Sequence, residues 1–341
     1  YRFLPLGLDP GYFPYWEVAE GFALGVSDTI STAERARFER LALPRVIPPG
    51  STVSGFVLTN AGEAFKFVHT DFLRSGRLRH MSMLVDVPGF HADYEQQRQE
   101  REAIWSAPTT DFGEDREAFR RALEDLPCCV TNRKGTKNGD PLNLVIVGDR
   151  ADAFPALARR GWRATETTWA GSVWRTMASA LSGEPYPYAP VSPLYLFDRV
   201  QDFALQKARD NIHQRNHLRL WLAPFRYRGR PVWVGQISRD IGSRLTIHSP
   251  YLTTHKIDPD VDEARAALAD DVVYTRQLRQ IGWVGGVGAA PRQEPAGNLT
   301  GDPYFTDGSR LVLIFDADAT RRSDIQWLPW DKVDVRGDDV R

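Results

Sequence analysis

The richest cluster of polar residues that could bind a metal ion or phosphate is drawn from positions 213–258. Its members are His213, His217, Arg219, Arg239, Asp240, His248, His255 and Asp258. Imidazole nitrogens and carboxylates are common metal ligands, and arginine side chains bind phosphate through paired hydrogen bonds. His213 and His217 are four positions apart, which places them on one face of a helix or a strand. Because the glutamate of an HExxH motif is missing, this spacing is only a weak indication of a metal site.

A hydrolytic site is one interpretation of this group, with His217, Arg219, Asp240 and His255 as its candidate residues. One water or phosphate can be held only by polar atoms that lie within hydrogen-bonding distance of it. The hypothesis therefore requires these side chains to converge. The alternative is that the histidines are partly exposed strand residues that are hydrogen-bonded to their neighbours.

The acidic run IDPDVDE, residues 257–263, is better explained as the start of a helix than as a calcium site. Asp258 is the expected N-cap and Pro259 the expected first helical residue. The acidic residues that follow complement the positive end of the helix. The glycine and the distal glutamate of an EF-hand are missing.

Sequence signatures of other enzyme classes are absent. GWVGGVG, residues 282–288, lacks the lysine and hydroxyl residue of a phosphate loop and predicts a chain reversal. VIVGDR, residues 145–150, lacks the GxGxxG of a dinucleotide site, and no GxSxG elbow occurs. The two cysteines, Cys128 and Cys129, are adjacent and cannot join distant segments. We therefore predict no cofactor and no metal.

A long hairpin is predicted to position the central polar residues. In NHLRLWLAPFRYRGRPVWVGQISRD, residues 216–240, leucines alternate with larger polar or aromatic residues, and a turn is expected near Arg228-Gly229-Arg230. The leucines expected on the buried face are Leu218, Leu220 and Leu222, and the residues expected on the other face are His217, Arg219 and Trp221.

The remaining elements predict an α+β fold, with a small antiparallel β domain followed by a larger mixed α+β domain. The buried strands are predicted in 141–149 and 309–317, and the helices in 91–105, 114–126, 152–162, 169–183 and 258–283, the last being the longest. Alternation in residues 51–60, 63–73 and 79–87, with turns at 60–62 and at Ser75-Gly76, predicts the β domain.

Four regions follow from this pattern. They are an aromatic arm with a short helix at 1–44, an antiparallel β domain at 45–90, a helical connector at 91–130, and an α+β domain at 131–335. The polar stretch TNRKGTKNGD, residues 131–140, is expected to be a flexible loop before the last domain.

Charge and aromatic residues indicate the kind of partner. The 43 basic and 44 acidic residues nearly cancel, so no global field favours nucleic acid. No apolar run approaches the roughly 20 residues that span a bilayer. The first residue is Tyr1 rather than methionine, so we expect a trimmed chain, with room for a signal peptide or membrane anchor before it. Candidate partner contacts are Phe3, Tyr12, Phe13, Tyr15 and Trp16, Tyr186 and Tyr188 in the proline-rich loop 184–193, and Trp327 and Trp330 near the end.

Several sequence blocks resemble the C-terminal domain of LssY-type bacterial proteins. The blocks are PLNLVIVGDR, EPYPYAPVSPLYLFDRVQDFALQKA, NHLRLWLAP, GRPVWVGQISRDIG and THKIDPDVDEAR, and together they cover about residues 127–316. In some members of that family the domain is joined to membrane-embedded segments similar to phosphatidic-acid-phosphatase and DedA modules. The resemblance therefore implies that the protein functions at the bacterial envelope, outside the cytoplasm or at a membrane. It does not identify a catalytic residue in this sequence.

The leading functional hypothesis is a non-catalytic accessory or binding subunit that docks on an integral membrane protein or complex. A missing N-terminal anchor would also allow contact with the membrane surface. The alternative is a metal- or phosphate-binding hydrolase that acts on phosphate esters or lipid-linked phosphates.

Overall fold

The computed structural model describes residues 37, 39–57, 66–85, 109–165, 191–208, 215–245 and 253–330. These residues are mostly β with some helix, in mixed and antiparallel sheets. The chain divides into two compact units, residues 1–63 with 70–79, and residues 64–69 with 80–341. Several predictions fall outside the described residues: the aromatic arm with its candidate contacts from Phe3 to Trp16, the turn at 60–62, the helices at 91–105 and 169–183, and Tyr186, Tyr188, His213 and His248.

The strands and helices of the described residues have the following bounds. The strands are β1 (Lys66–Arg74), β2 (Arg77–Val85), β3 (Thr110–Asp111), β4 (Cys129–Thr131), β5 (Asn138–Pro141), β6 (Leu144–Val147), β7 (Arg163–Ala164), β8 (Tyr195–Leu196), β9 (Arg199–Val200), β10 (Phe203–Ala208), β11 (Arg215–Tyr227), β12 (Arg230–Leu245), β13 (Thr253–Ile257), β14 (Leu278–Val284), β15 (Ala296–Gly297), β16 (Pro303–Tyr304), β17 (Arg310–Phe315) and β18 (Gln326–Trp327). The helices are α1 (Arg116–Glu124), α2 (Arg150–Arg159), α3 (Val261–Val272) and a 3₁₀ turn at Arg322–Asp324.

β1 and β2 pair in a two-stranded sheet. They are joined by Ser75 and Gly76, whose φ angles of 50° and 74° lie in the left-handed region. Two consecutive left-handed residues are typical of a two-residue hairpin, so the turn predicted here is confirmed. Residues 51–57, by contrast, form no strand. Among the described residues, their β contact is a single bridge from Phe56 to Ala42.

Ten strands form one mixed sheet. Eight lie side by side in the order β18, β14, β17, β6, β12, β11, β10, β7, while β13 pairs with β12 and β3 with β11. The β6–β17, β14–β18 and β3–β11 pairs are parallel and the other pairs are antiparallel. The long hairpin β11–β12 lies at the centre, and its turn at Arg228-Gly229 has two left-handed residues, with φ of 54° and 71°. The predicted hairpin and its turn are therefore confirmed.

Both faces of this sheet are covered. Leu218, Leu220 and Leu222 lie in one apolar core, as predicted, and α2 and α3 contribute to that core through residues such as Leu157 and Leu268. The residues that alternate with the leucines face a second core, in which Trp221 packs with Phe119 of α1, Leu196 of β8, and other apolar residues. Because each face of the sheet is buried, even the polar residues of β11 are withdrawn from water.

The predicted helix at 258–283 is shorter in the structure. Its N-cap is Asp260, whose side chain accepts a hydrogen bond from the Glu263 N–H, rather than Asp258 as expected. α3 ends at Val272, where the Thr275 hydroxyl donates to the Val272 carbonyl and Arg276 adopts a φ of 62°. The segment that follows becomes β14, which pairs with β17 along its length. Pairing of β14 with β17 has overridden local helix propensity in this segment.

The polar stretch 131–140, predicted to be a flexible loop, is a β-hairpin. β4 and β5 pair antiparallel across it, and the Asn132 side chain accepts a hydrogen bond from the Thr136 N–H within the turn. The adjacent residues Cys128 and Cys129 are joined to each other by a disulfide bond. Together with β8 and β9 these strands form a four-stranded sheet.

The end of α1 is held by a buried arginine from β17. Arg310 is fully buried and donates to six backbone carbonyls, those of Leu123, Leu126, Pro127, Leu142, Gly285 and Gly286. Burial lowers the pKa of Arg310 to about 10. The carbonyls at a helix C-terminus lack intrahelical donors, and this guanidinium supplies them.

Of the helices in the described part of the chain, none has the length and apolar composition needed to cross a bilayer.

Candidate functional site

The face of the sheet that carries Trp221 becomes polar toward the start of β11. There the pairing register aligns side chains of three strands: Gln206 of β10, His217 of β11 and Ser238 of β12 lie in one row. The rows on either side align Ala204, Arg219 and Gln236, and Ala208, Arg215 and Asp240. We call the polar members of these rows the polar cluster: Gln206, Arg215, His217, Arg219, Gln236, Ser238 and Asp240. None is more than 8% exposed.

His217 and Asp240 are hydrogen-bonded at the centre of the polar cluster. The distance from His217 Nε2 to Asp240 Oδ2 is 2.6 Å, and both side chains are buried. Because an ionised carboxylate only accepts hydrogen bonds, this contact assigns the proton to Nε2 when the ring is neutral. Nδ1 is then the basic nitrogen. The arrangement fixes the orientation and tautomer of an imidazole, as acid–base catalysis requires.

Arg219 lies beside this pair and bonds to uncharged groups. Nη1 donates to Gln236 Oε1 at 3.0 Å and Nη2 donates to the Ser192 carbonyl at 3.2 Å. Its charge also acts on Asp140 of β5, which lies at the edge of the polar cluster. The three predicted residues His217, Arg219 and Asp240 are therefore brought together on one face.

Asp140 has an environment that favours its neutral form. Burial raises the pKa of Asp140, and the charges of Asp240 and Asp302 raise it further. Arg219 and a 3.2 Å hydrogen bond from the Asn298 amide act in the opposite direction but do not cancel the effect of burial. Carboxyl groups with a raised pKa beside a buried cation are concentrated in functional sites.

Arg215 is a buried cation in the first row of the cluster, at the start of β11. It is 3% exposed and lies directly opposite Asp240 in the strand pairing. Burial lowers the pKa of Arg215, and the charge of Asp240 opposes that effect. Among the described residues its Nε has no hydrogen-bond partner, and the same holds for Nε2 of Gln236.

The fourth predicted residue, His255, lies on β13. Its backbone pairs with Ser243, three positions beyond Asp240 along β12, and its side chain is outside the described part of the structure. Arg239 points away from the polar cluster, to the face covered by α3. There it pairs with Glu263 at 2.6 Å and with Asp258 at 3.6 Å.

The two candidate partner residues near the C-terminus differ in exposure. Trp327, on the edge strand β18, is 63% exposed. Trp330 is 6% exposed and packs in the core, with its ring 6.1 Å from that of Phe119. Its burial is at odds with the predicted partner contact, because the indole would have to leave the core to reach another protein.

Sequence reasoning missed Arg215, Gln236 and Asp140. For Arg215 a signal existed, since it precedes His217 by two positions and strand alternation puts both on one face. Gln236 follows in the same way from the hairpin register once the turn is fixed. No local pattern links Asp140 to these residues, because it reaches them from another sheet.

Among the described residues no group of three or more histidine, cysteine, aspartate or glutamate side chains could hold a metal ion.

A family model described as "LssY C-terminus" matches residues 120–309, which include the polar cluster and Asp140. No curated protein and no solved structure matches the chain.

Proposed function

We propose that this chain, which belongs to the LssY C-terminus family, hydrolyses a phosphate ester bound at the polar cluster of the matched region. The observation that carries the proposal is the buried His217–Asp240 hydrogen bond with Arg219 and Arg215 on either side of it along one strand. This geometry joins an oriented acid–base group to two cations that suit an anionic substrate.

In the proposed reaction, His217 takes a proton from a water molecule through Nδ1 while Asp240 stabilises the imidazolium that forms. The water oxygen bonds to phosphorus and the phosphorus–ester oxygen bond breaks. His217 then returns the proton to the leaving oxygen, so that one water is consumed and an alcohol and a phosphate are released. The arginines stabilise the negative charge on the phosphoryl oxygens.

Turnover of phosphate monoesters, including phosphatidic acid in detergent, tests this proposal. His217→Asn and Asp240→Asn should each lower kcat/KM by about 100-fold or more, because general acid–base catalysis contributes that much. Trp327→Ala, distant in sequence and exposed, is the control and should keep full activity. Absence of turnover by the unaltered chain, or equal turnover by His217→Asn, would contradict the proposal.

A second candidate function is a non-catalytic accessory subunit that docks on an integral membrane protein of the bacterial envelope. The exposure of Trp327 on an edge strand favours it, since exposed tryptophans are frequent interface anchors. In this proposal residues 45–90 form a separate antiparallel β domain before the larger α+β domain. Co-purification with a stoichiometric membrane protein that Trp327→Ala abolishes would support it.

A further inference from the structure

We infer that Arg215 and Gln236 form a subsite for the terminal phosphate dianion of a monoester, with Arg215 as the principal cation. This inference names the substrate class of the proposed site and rests on the polar cluster described above. It does not require that the bound ester is hydrolysed.

Each of the two side chains has a hydrogen-bond donor that is not used within the described part of the chain. Arg215 Nε and Gln236 Nε2 are buried N–H donors that have no acceptor among the described residues. Both belong to the same face, two rows apart across β11 and β12. A buried donor without an acceptor costs free energy, and a buried cation costs more. Phosphate oxygens only accept hydrogen bonds, so phosphate is the kind of ligand that would satisfy both groups.

Two cations lie on this face of the sheet. Arg215 and Arg219 are two rows apart on β11, and Asp240, opposite Arg215, is hydrogen-bonded to His217. Two further carboxyl groups, of Asp140 and Asp302, lie nearby, and burial raises the pKa of Asp140. Two guanidinium groups complement a phosphate dianion better than the single charge of a diester.

A structural role for Arg215 would look different. A buried arginine that stabilises a fold is normally saturated with acceptors, as Arg310 is in this chain. In the described part of the chain, the charge that acts on Arg215 is that of Asp240. Replacing it with a side chain of similar length but no charge should therefore leave folding intact and remove the ligand contact.

The experiment is calorimetric titration of the whole chain, at constant ionic strength, with inorganic phosphate, methyl phosphate and dimethyl phosphate. The unaltered chain should bind the first two, and dimethyl phosphate at least about tenfold more weakly. Arg215→Met should weaken binding of phosphate and methyl phosphate by about 10- to 100-fold, while the urea midpoint of unfolding stays equal or rises. Arg226→Met, at the other end of β11, is the matched control and should change neither affinity.

Three results would overturn the inference: no binding of phosphate or methyl phosphate by the unaltered chain, equal affinity for dimethyl phosphate, or an Arg215→Met variant that unfolds at lower urea with unchanged affinity. The outcomes also separate this inference from the proposed reaction. Phosphate binding that needs Arg215 without any turnover would refute hydrolysis and leave the subsite intact. Turnover that His217→Asn abolishes and Arg215→Met does not affect would refute the subsite alone.

Discussion

Two buried arginines of this protein occupy opposite kinds of surroundings. Arg310 is surrounded by six carbonyl oxygens, from the end of α1 and from the loops that follow α1, β5 and β14. Among the described residues, Arg215 has the charge of Asp240 beside it and an Nε donor without an acceptor. Both arginines lose hydration on burial, and within the described part of the chain the lost hydrogen bonds are replaced at Arg310 and not at Arg215 Nε. The difference separates a cation that holds the fold together from one that a ligand completes.

Replacement of Arg310 should give the largest effect. Arg310→Met leaves the carbonyls of Leu123, Leu126 and Pro127 buried without a donor, so the free energy of unfolding should fall by about 5 kcal/mol. Arg215→Met should change it by less than about 1 kcal/mol. Urea denaturation of both variants measures this difference. Equal destabilisation by the two substitutions would remove the distinction between the two arginines.

Replacement of the buried Trp330 should give the next largest loss of stability. Trp330 packs against Phe119 of α1, so Trp330→Ala should lower the free energy of unfolding by about 3 kcal/mol through loss of buried contacts. Trp327→Ala removes an exposed ring and should cost less than about 0.5 kcal/mol. Thermal or urea unfolding of the pair measures both values. A large loss of stability in Trp327→Ala would mean that its ring stabilises the fold rather than serving an interface.

The smallest effect concerns Asp140 beside the polar cluster. Its pKa is raised above the usual value of 3.8, so the folded chain holds this proton more tightly than the unfolded chain. The stability that this provides is fully present below about pH 4 and is lost as the pH rises through the raised pKa. Because asparagine does not titrate, Asp140→Asn should remove this fall in stability at higher pH. Its stability relative to the unaltered chain should therefore be higher at pH 7 than at pH 3.5, as urea unfolding at the two pH values can measure. A constant difference would show that Asp140 titrates alike in both states.

The sequence predicted the parts of the fold that depend on local pattern. Alternation and a Gly-containing turn were enough for the hairpin that carries His217 and Asp240. The helix predicted at 258–283 was wrong beyond Val272, because pairing of β14 with β17 decides that segment and the partner is some 30 residues away. The flexible loop predicted at 131–140 was wrong for the same reason. The polar composition of this stretch does not indicate that β4 and β5 pair across it.

The residues of the candidate site likewise fall into those that the sequence predicts and those that only the structure reveals. His217, Arg219 and Asp240 were identified because their chemistry and their hairpin both lie in one stretch of sequence. Asp140 joins them only through the packing of one sheet on another. Whether Arg215 Nε finds a hydrogen-bond acceptor depends on the residues packed around it, and the residue type alone does not reveal this.

The parallel pairing of β6 with β17 has a consequence for how the chain folds. Leu144 pairs with Leu311, so about half of the chain separates two strands that are neighbours in the middle of the sheet. Contacts of such high contact order form late, because a long loop must close before they contribute. During synthesis the ribosome must therefore release the chain through β17 before this edge of β6 is covered. Until then that apolar edge is open to pairing with other chains, and nascent molecules that stall before β17 are the ones most exposed to aggregation.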